Sequence, residues 1–241
     1  MNKPIGVFDS GLGGLTVLEK VYEYLPNENY LYLADYLNNP YGTKEESVVE
    51  QIVINNAIML EKMGAKMIII ACNTASLFEE SIRKVVKIPV ISVIKNTSIN
   101  ACKSTKNAKI GVIATQMTIQ KGIYQKLLEQ EKKEVFAIPC SEFVGYIENH
   151  IDEYEEGIGL VNTKISALKD KNIDTLIYGC THFSLLEDKI KLVLGDIKYI
   201  DCGSSIKEQV KVVLIKENII NKSDMLGTIK VYTTAKKEVL E

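Results

Sequence analysis

The chain has 241 residues, enough for one large domain or two small ones that each bury a core. It is 46% hydrophobic and 25% charged with a formal net charge of −2, so no basic surplus argues for nucleic acid and no acidic tail is present. The longest apolar runs, such as "MIIIA" at 67–71, are too short to span a bilayer, and no charged-then-apolar leader precedes the first strand pattern, so a cytoplasmic protein is expected.

Short apolar runs then recur along the chain. "IGVFDS" (5–10) comes first and leads into a loop with Gly11, Gly13 and Gly14. "NYLYLAD" (29–35), "KMIIIAC" (66–72) and "PVISVI" (89–94) come next as strands. Apolar residues spaced by three and four predict a helix over 47–64. In the second half, "KIGVIAT" (109–115), "EVFAIPC" (134–140), "DTLIYGC" (174–180) and "IKYIDC" (197–202) read as strands, and "TIKVYTT" (228–234) is a weaker ninth. Strands nearly continuous in Val and Ile, alternating with helical patterns, predict parallel α/β layers.

The two halves echo each other. "IGVFDSGLGG" (5–14) resembles "IGVIATQMTI" (110–119), and "GAKMIIIACNTAS" (64–76) resembles "NIDTLIYGCTHFS" (172–184). Two similar α/β domains in a pseudo-twofold arrangement are therefore expected, with the active site in the cleft between them. The expected division is 1–95 plus 208–241 for the first domain and 96–207 for the second.

Polar residues gather at the carboxyl ends of the predicted strands: Asp9 and Ser10, Asp35, Cys72-Asn73-Thr74, Thr115, Cys140, and Cys180-Thr181-His182. Open parallel sheets bind ligands outside those ends. Two thiols on opposite faces of a carbon could remove a proton from one side and return one to the other, which is racemisation. A single thiolate beside a histidine could instead act as a nucleophile.

Blander uses exist for each residue. Buried cysteines are commonly inert, a post-strand Asp9 can cap a helix, Tyr41 after Pro40 can be turn chemistry, and His182 can be a satisfied imidazole. The glycine loop lacks the Gly-Lys-Ser/Thr of a P-loop and the spacing of a dinucleotide fingerprint. Five scattered cysteines make no disulfide framework, and no cluster has metal-ligand spacing. Cys102, Cys140 and Cys202 read as structural, and His150 as solvated.

"FDSGLGGLTV" (8–17), "PYG" (40–42), "ACNTAS" (71–76) and "GCTH" (179–182) together resemble the motifs of the glutamate racemases, members of the cofactor-independent aspartate/glutamate racemases. The resemblance runs from about residue 5 to about 205. It implies that Cys72 and Cys180 are the two acid/bases, that Asp9 and His182 assist them, and that Glu148 supports the second thiol. It further implies that Asp9, Ser10, Tyr41, Gly42, Asn73, Thr74, Thr115, Thr118, Thr181 and His182 hold the amino acid. The implied reaction interconverts L- and D-glutamate, supplies D-glutamate for peptidoglycan, and needs no cofactor and no metal. The implied partner is glutamate, with no nucleic acid or membrane, and a homodimer is expected. Against the family pattern, Phe183-Ser184 replace Tyr-Pro, Lys95-Asn96 stand where an acid and a proline are common, and Ala114 stands where glycine is frequent. Little chain remains after "VYTT" (231–234), so the usual C-terminal helix is expected to be shortened or absent. Two other readings stay open: a thiol hydrolase built on Cys180, His182 and Asp9, and a non-catalytic amino-acid-binding module.

Overall fold

The computed structural model describes residues 3–150 and 153–235. The chain divides into two compact units, one running to Val93 and resuming at Gly203, the other spanning Ile94–Cys202.

The first unit contains β1 (Ile5–Asp9), α1 (Leu15–Tyr24), β2 (Tyr30–Ala34), α2 (Glu46–Lys62), β3 (Met67–Ile70), α3 (Asn73–Ser76), α4 (Glu79–Arg83) and β4 (Val90–Ser92). The second unit is entered by α5 (Val93–Ser104). It continues with β5 (Lys109–Ala114), α6 (Gln116–Lys121), α7 (Ile123–Gln130), β6 (Glu134–Pro139) and α8 (Glu142–Asn149). It closes with α9 (Tyr154–Ile165), β7 (Thr175–Gly179), α10 (Glu187–Leu194) and β8 (Lys198–Ile200). The chain returns to the first unit through α11 (Cys202–Lys216) and ends its described part with β9 (Ile229–Thr233). All nine strands expected from the apolar runs are present, and the helix expected over 47–64 is α2.

Both sheets are wholly parallel, in the orders β4-β3-β1-β2-β9 and β6-β5-β7-β8. The first four strands of each unit thus obey one scheme. The founding strand is central, its successor lies on one side, and the next two lie on the other. The order reverses between β1 and β3, and between β5 and β7, so those two gaps are the topological switch points where such sheets bind ligands. β1, β2 and β3 are buried along their whole length, which is why they read as unbroken apolar runs.

The registers also agree. Gly6 pairs with Ile68 and Gly111 with Leu176, so in each unit the cysteine stands four residues past the partner of the strand glycine. At both glycines the neighbouring side chains come close. A Cβ on Gly6 would lie 3.1 Å from the Ala65 Cβ, and one on Gly111 would lie 2.7 Å from the Ile173 Cδ1. The repeated "IGV" therefore marks a close approach of the helix-to-strand connection against the central strand.

Among the described residues, β9 has no counterpart in the second unit. It pairs with β2, Tyr30 opposite Ile229, and leaves Ile229, Val231 and Tyr232 exposed at the sheet edge. The segment leading to it is anchored at the amino end of the sheet. There Lys66 and Glu28, both buried, meet at 2.5 Å, Lys66 Nζ donates to the Ile219 carbonyl at 2.7 Å, and the Asn221 N–H donates to Glu28 Oε1 at 2.7 Å. The expectation about the C-terminal helix falls on residues 236–241, outside the described residues. Among the described residues, no helix is long and apolar enough to cross a membrane.

Candidate active site

At the switch point of the first unit, β1 delivers Asp9 and Ser10, and β3 delivers Cys72. Asp9 is fully buried, and its Oδ2 accepts the Gly11 N–H at 3.0 Å. The N-cap of α1 is Gly14, which has no side chain to cap with. The loop is drawn tightly round this carboxylate. The Tyr32 hydroxyl donates to the Gly11 carbonyl at 2.8 Å, and a Cβ on Gly14 would lie 2.6 Å from the Asp9 Cβ and 2.7 Å from the Tyr32 hydroxyl. Gly14 is thus required so that α1 can start against Asp9. A loop wrapped round a buried acid is a poor cradle for phosphate, whose charge has the same sign.

Cys72 is 7% exposed. Its carbonyl accepts the Ser76 N–H at 2.9 Å and the Ser76 hydroxyl at 2.8 Å, closing the single turn of α3, and its Sγ lies 4.0 Å from Ser10 Oγ. Asn73 and Thr74, the first residues of that turn, are buried beside it. The 3-10 turn Tyr41–Thr43 packs against α3 and carries the buried Tyr41 and the half-buried Gly42. Burial first, then the Asp35 carboxylate, holds the Tyr41 phenol well above its ordinary pKa, with Cys72 and Asp9 adding to the shift. Burial and then Asp9 do the same to Tyr32. Both phenols therefore stay neutral hydrogen-bond donors next to the acid and the thiol.

At the switch point of the second unit, β5 delivers Thr115 and β7 delivers Cys180. Cys180 is 8% exposed, a match for Cys72. The chain leaves it through a 3-10 turn, Phe183–Leu186, and the Cys180 carbonyl accepts the Phe183 N–H at 3.2 Å. Cys180 Sγ lies 3.8 Å from His182 Nδ1, and His182 Nε2 lies 3.2 Å from Glu148 Oε1. The imidazole bridges thiol and carboxylate. With its Nε2 proton directed to Glu148, Nδ1 is left to accept the thiol proton, a tautomer inferred from this network. Phe183 explains its own departure from the family pattern. It is fully buried with its ring 5.3 Å from that of Phe143 on α8, edge to face, and this contact seats α8 so that Glu148 reaches His182. Thr115 and Thr118 are buried with hydroxyls 3.0 Å apart, and Thr181 is buried next to Cys180.

The residues read as structural behave so. Cys140 and Cys202 are buried, with burial pushing the Cys140 thiol up to about 12, and Cys102 is partly buried on α5. His150 is exposed and pairs with Glu153 at 3.0 Å. Among the described residues, no group of three or more His, Cys, Asp or Glu is arranged to hold a metal ion. The sequence reading missed one cluster, the buried Asp35 with Tyr41 and Asn56. Its signal was present in Asn56, a polar residue on the apolar face that α2 buries with Val49, Val53 and Leu60.

Known proteins share this architecture. Residues 26–209 match the family model described as Asp/Glu/Hydantoin racemase. A glutamate racemase of Corynebacterium kroppenstedtii is 38% identical over 91% of this chain and 78% of its own length. The crystal structure of a glutamate racemase isoform from Bacillus anthracis is 32% identical over 98% of this chain and 90% of that one, with a TM-score of 0.93. That of Francisella tularensis glutamate racemase in complex with D-glutamate is 32% identical over 98% of this chain and 89% of that one, with a TM-score of 0.87. The chain belongs to the Asp/Glu/hydantoin racemase family, among its glutamate racemases.

Proposed function

We propose that this protein is a glutamate racemase in which Cys72 and Cys180 act on the α-carbon of glutamate from opposite sides. The observation that carries this is the duplication: two thiols at one register position, at the switch points of two like sheets, each beside its own polar helper. The Cys180 thiolate takes the α-proton of L-glutamate, breaking the Cα–H bond. The Cys72 thiol gives its proton to the other face, which forms the new bond and leaves a thiolate on Cys72 for the reverse reaction. Asp9 and Ser10 assist the first thiol. His182, oriented by Glu148, assists the second.

The Tyr41-Gly42 turn, Asn73, Thr74, Thr115, Thr118 and Thr181 hold the amino and carboxylate groups of the substrate. The D-glutamate complex of the Francisella tularensis protein supports the choice of substrate. Glutamate is preferred over aspartate, because a misplaced side-chain carboxylate leaves buried donors unpaired. The reaction runs without cofactor or metal in the cytoplasm, in a homodimer, and supplies D-glutamate for peptidoglycan.

The hydrolase reading, built on Cys180, His182 and Asp9, leaves Cys72 without a role. The deciding experiment is circular dichroism of the purified protein with L-glutamate and no added cofactor. The signal should decay to zero, since the enantiomers have equal free energy. A signal that stays constant refutes the proposal.

A further inference from the structure

Asp35 closes β2 and is fully buried, yet it is not among the residues that the motifs point to. Its N–H bonds the Asp9 carbonyl at 3.0 Å, which places it one strand away from the catalytic acid. Its Oδ2 accepts the Tyr41 hydroxyl at 2.6 Å and Asn56 Nδ2 at 3.0 Å, and its Oδ1 accepts the Thr234 hydroxyl at 2.7 Å. Asn38 Nδ2 reaches both oxygens, at 3.0 and 3.1 Å. All four donors are uncharged. The directions are mutually consistent. Asn56 spends its second proton on the Tyr41 oxygen at 2.9 Å, and Thr234, its one proton given to Asp35, accepts the Leu37 N–H at 3.1 Å. An ionised carboxylate only accepts, and every group round it here only donates to it.

Three separated parts of the chain therefore converge on one carboxylate: α2 through Asn56, the 36–43 segment through Tyr41, and the end of β9 through Thr234, the residue that follows it. We propose that Asp35, Asn56 and Thr234 are positioning residues, and that through them the returning strand β9 holds the Tyr41-Gly42 turn in the conformation that binds the amino acid. This rests on the racemase reading above for the role of Tyr41 and Gly42. β9 then has a task beyond covering the β2 edge. It supplies a hydroxyl that fixes a loop nearly 200 residues earlier in the sequence.

Thr234→Val removes that hydroxyl and keeps the shape. It should raise KM about tenfold for both enantiomers, the scale of one lost hydrogen bond to a charged group, and leave kcat within about threefold. Thr234→Ser should restore KM. Asp35→Asn should do more damage, because its amide turns a donor toward donors. Hydrogen–deuterium exchange over 36–44 should quicken in Thr234→Val and not in Thr234→Ser, a readout independent of substrate. An unchanged KM with unchanged exchange overturns the proposal. So does a fall in kcat at constant KM, which would report only a smaller folded fraction. If wild type fails to invert glutamate although the exchange responds as expected, the racemase reading falls, and the substrate role of this strut falls with it.

Discussion

At the end of the central strand of the first unit stands Asp9, fully buried and bonded to the Gly11 N–H; the second unit holds Ala114 at the corresponding position. One strand further out, Asp35 bonds the Asp9 carbonyl as Cys140 bonds that of Ala114. Past the cysteines, Thr74 corresponds to His182. The thiols coincide in register and exposure, while their helpers do not. The first unit draws its acid from the strand beside the thiol. The second leaves that place apolar and brings an imidazole from the turn after the thiol, steadied by Glu148 from α8. Backbone topology fixes where a thiol can stand, and the side chains beside it differ between the two units.

The severest test of that comparison removes each thiol in turn. Cys72→Ala and Cys180→Ala should each lose inversion by about 10³-fold or more, since no acid then waits on the far face. Each should still exchange the α-proton of one enantiomer with deuterated solvent. Cys180 in the first variant should serve L-glutamate, and Cys72 in the second D-glutamate, as read by NMR. If both variants exchanged the same enantiomer, the two thiols would not address opposite faces.

The unlike helpers come next. Asp9→Asn and His182→Asn should each cost on the order of 10²-fold. Because the equilibrium constant is one, kcat/KM must stay equal in the two directions in every variant, so the unlike helpers can show themselves only in how the loss divides between kcat and KM for L- and D-glutamate. Progress curves from both enantiomers check this. A variant with unequal kcat/KM would show that the assay is not tracking racemisation.

Glu148 Oε1 meets the imidazole at 3.2 Å, and the Glu148 side chain is 25% exposed, so water can partly replace it. Glu148→Gln should therefore cost about tenfold, the low end for a hydrogen bond to a charged group. A loss as large as that of His182→Asn would make Glu148 a proton carrier in its own right.

The smallest effect belongs to Cys140. Burial pushes its thiol up to about 12, so below about pH 10 almost no thiolate exists for an alkylating agent to find. Peptide mapping after iodoacetamide at pH 8 should place the label that tracks lost activity on Cys72 and Cys180, with none on Cys140.

Much of this was legible in the chain. The inner strands announced themselves because parallel strands covered on both faces must be apolar throughout, and the cysteines stood out because "IGV" is followed by a strand-end cysteine at nearly equal spacing in both halves. β9 read weakly for the converse reason, since an edge strand with Ile229, Val231 and Tyr232 exposed has little burial to pattern it. The support of the second thiol by Glu148 came from a family resemblance and its contact with His182 from the structure, since the residues on α8 and those after Cys180 meet across some 40 residues, as Phe143 and Phe183 do. The Asp35 cluster stayed hidden because its donors come from 21 residues downstream in Asn56 and 199 in Thr234. No local pattern encodes such a convergence; only the mid-helix asparagine hinted that α2 faces something polar.

The late arrival of β9 bears on synthesis. The second unit has all four of its strands by Ile200, whereas the first has four by Ser92 and receives its fifth only at Ile229. On a ribosome adding about 5–20 residues per second, the interval between Val93 and Ile229 leaves the β2 edge unpaired for roughly 7–27 seconds. Through that time the nascent first unit carries an open strand edge, the kind of surface that recruits foreign strands, and Asp35 waits without the Thr234 hydroxyl. The substrate loop is thus completed only after the whole second unit has been made.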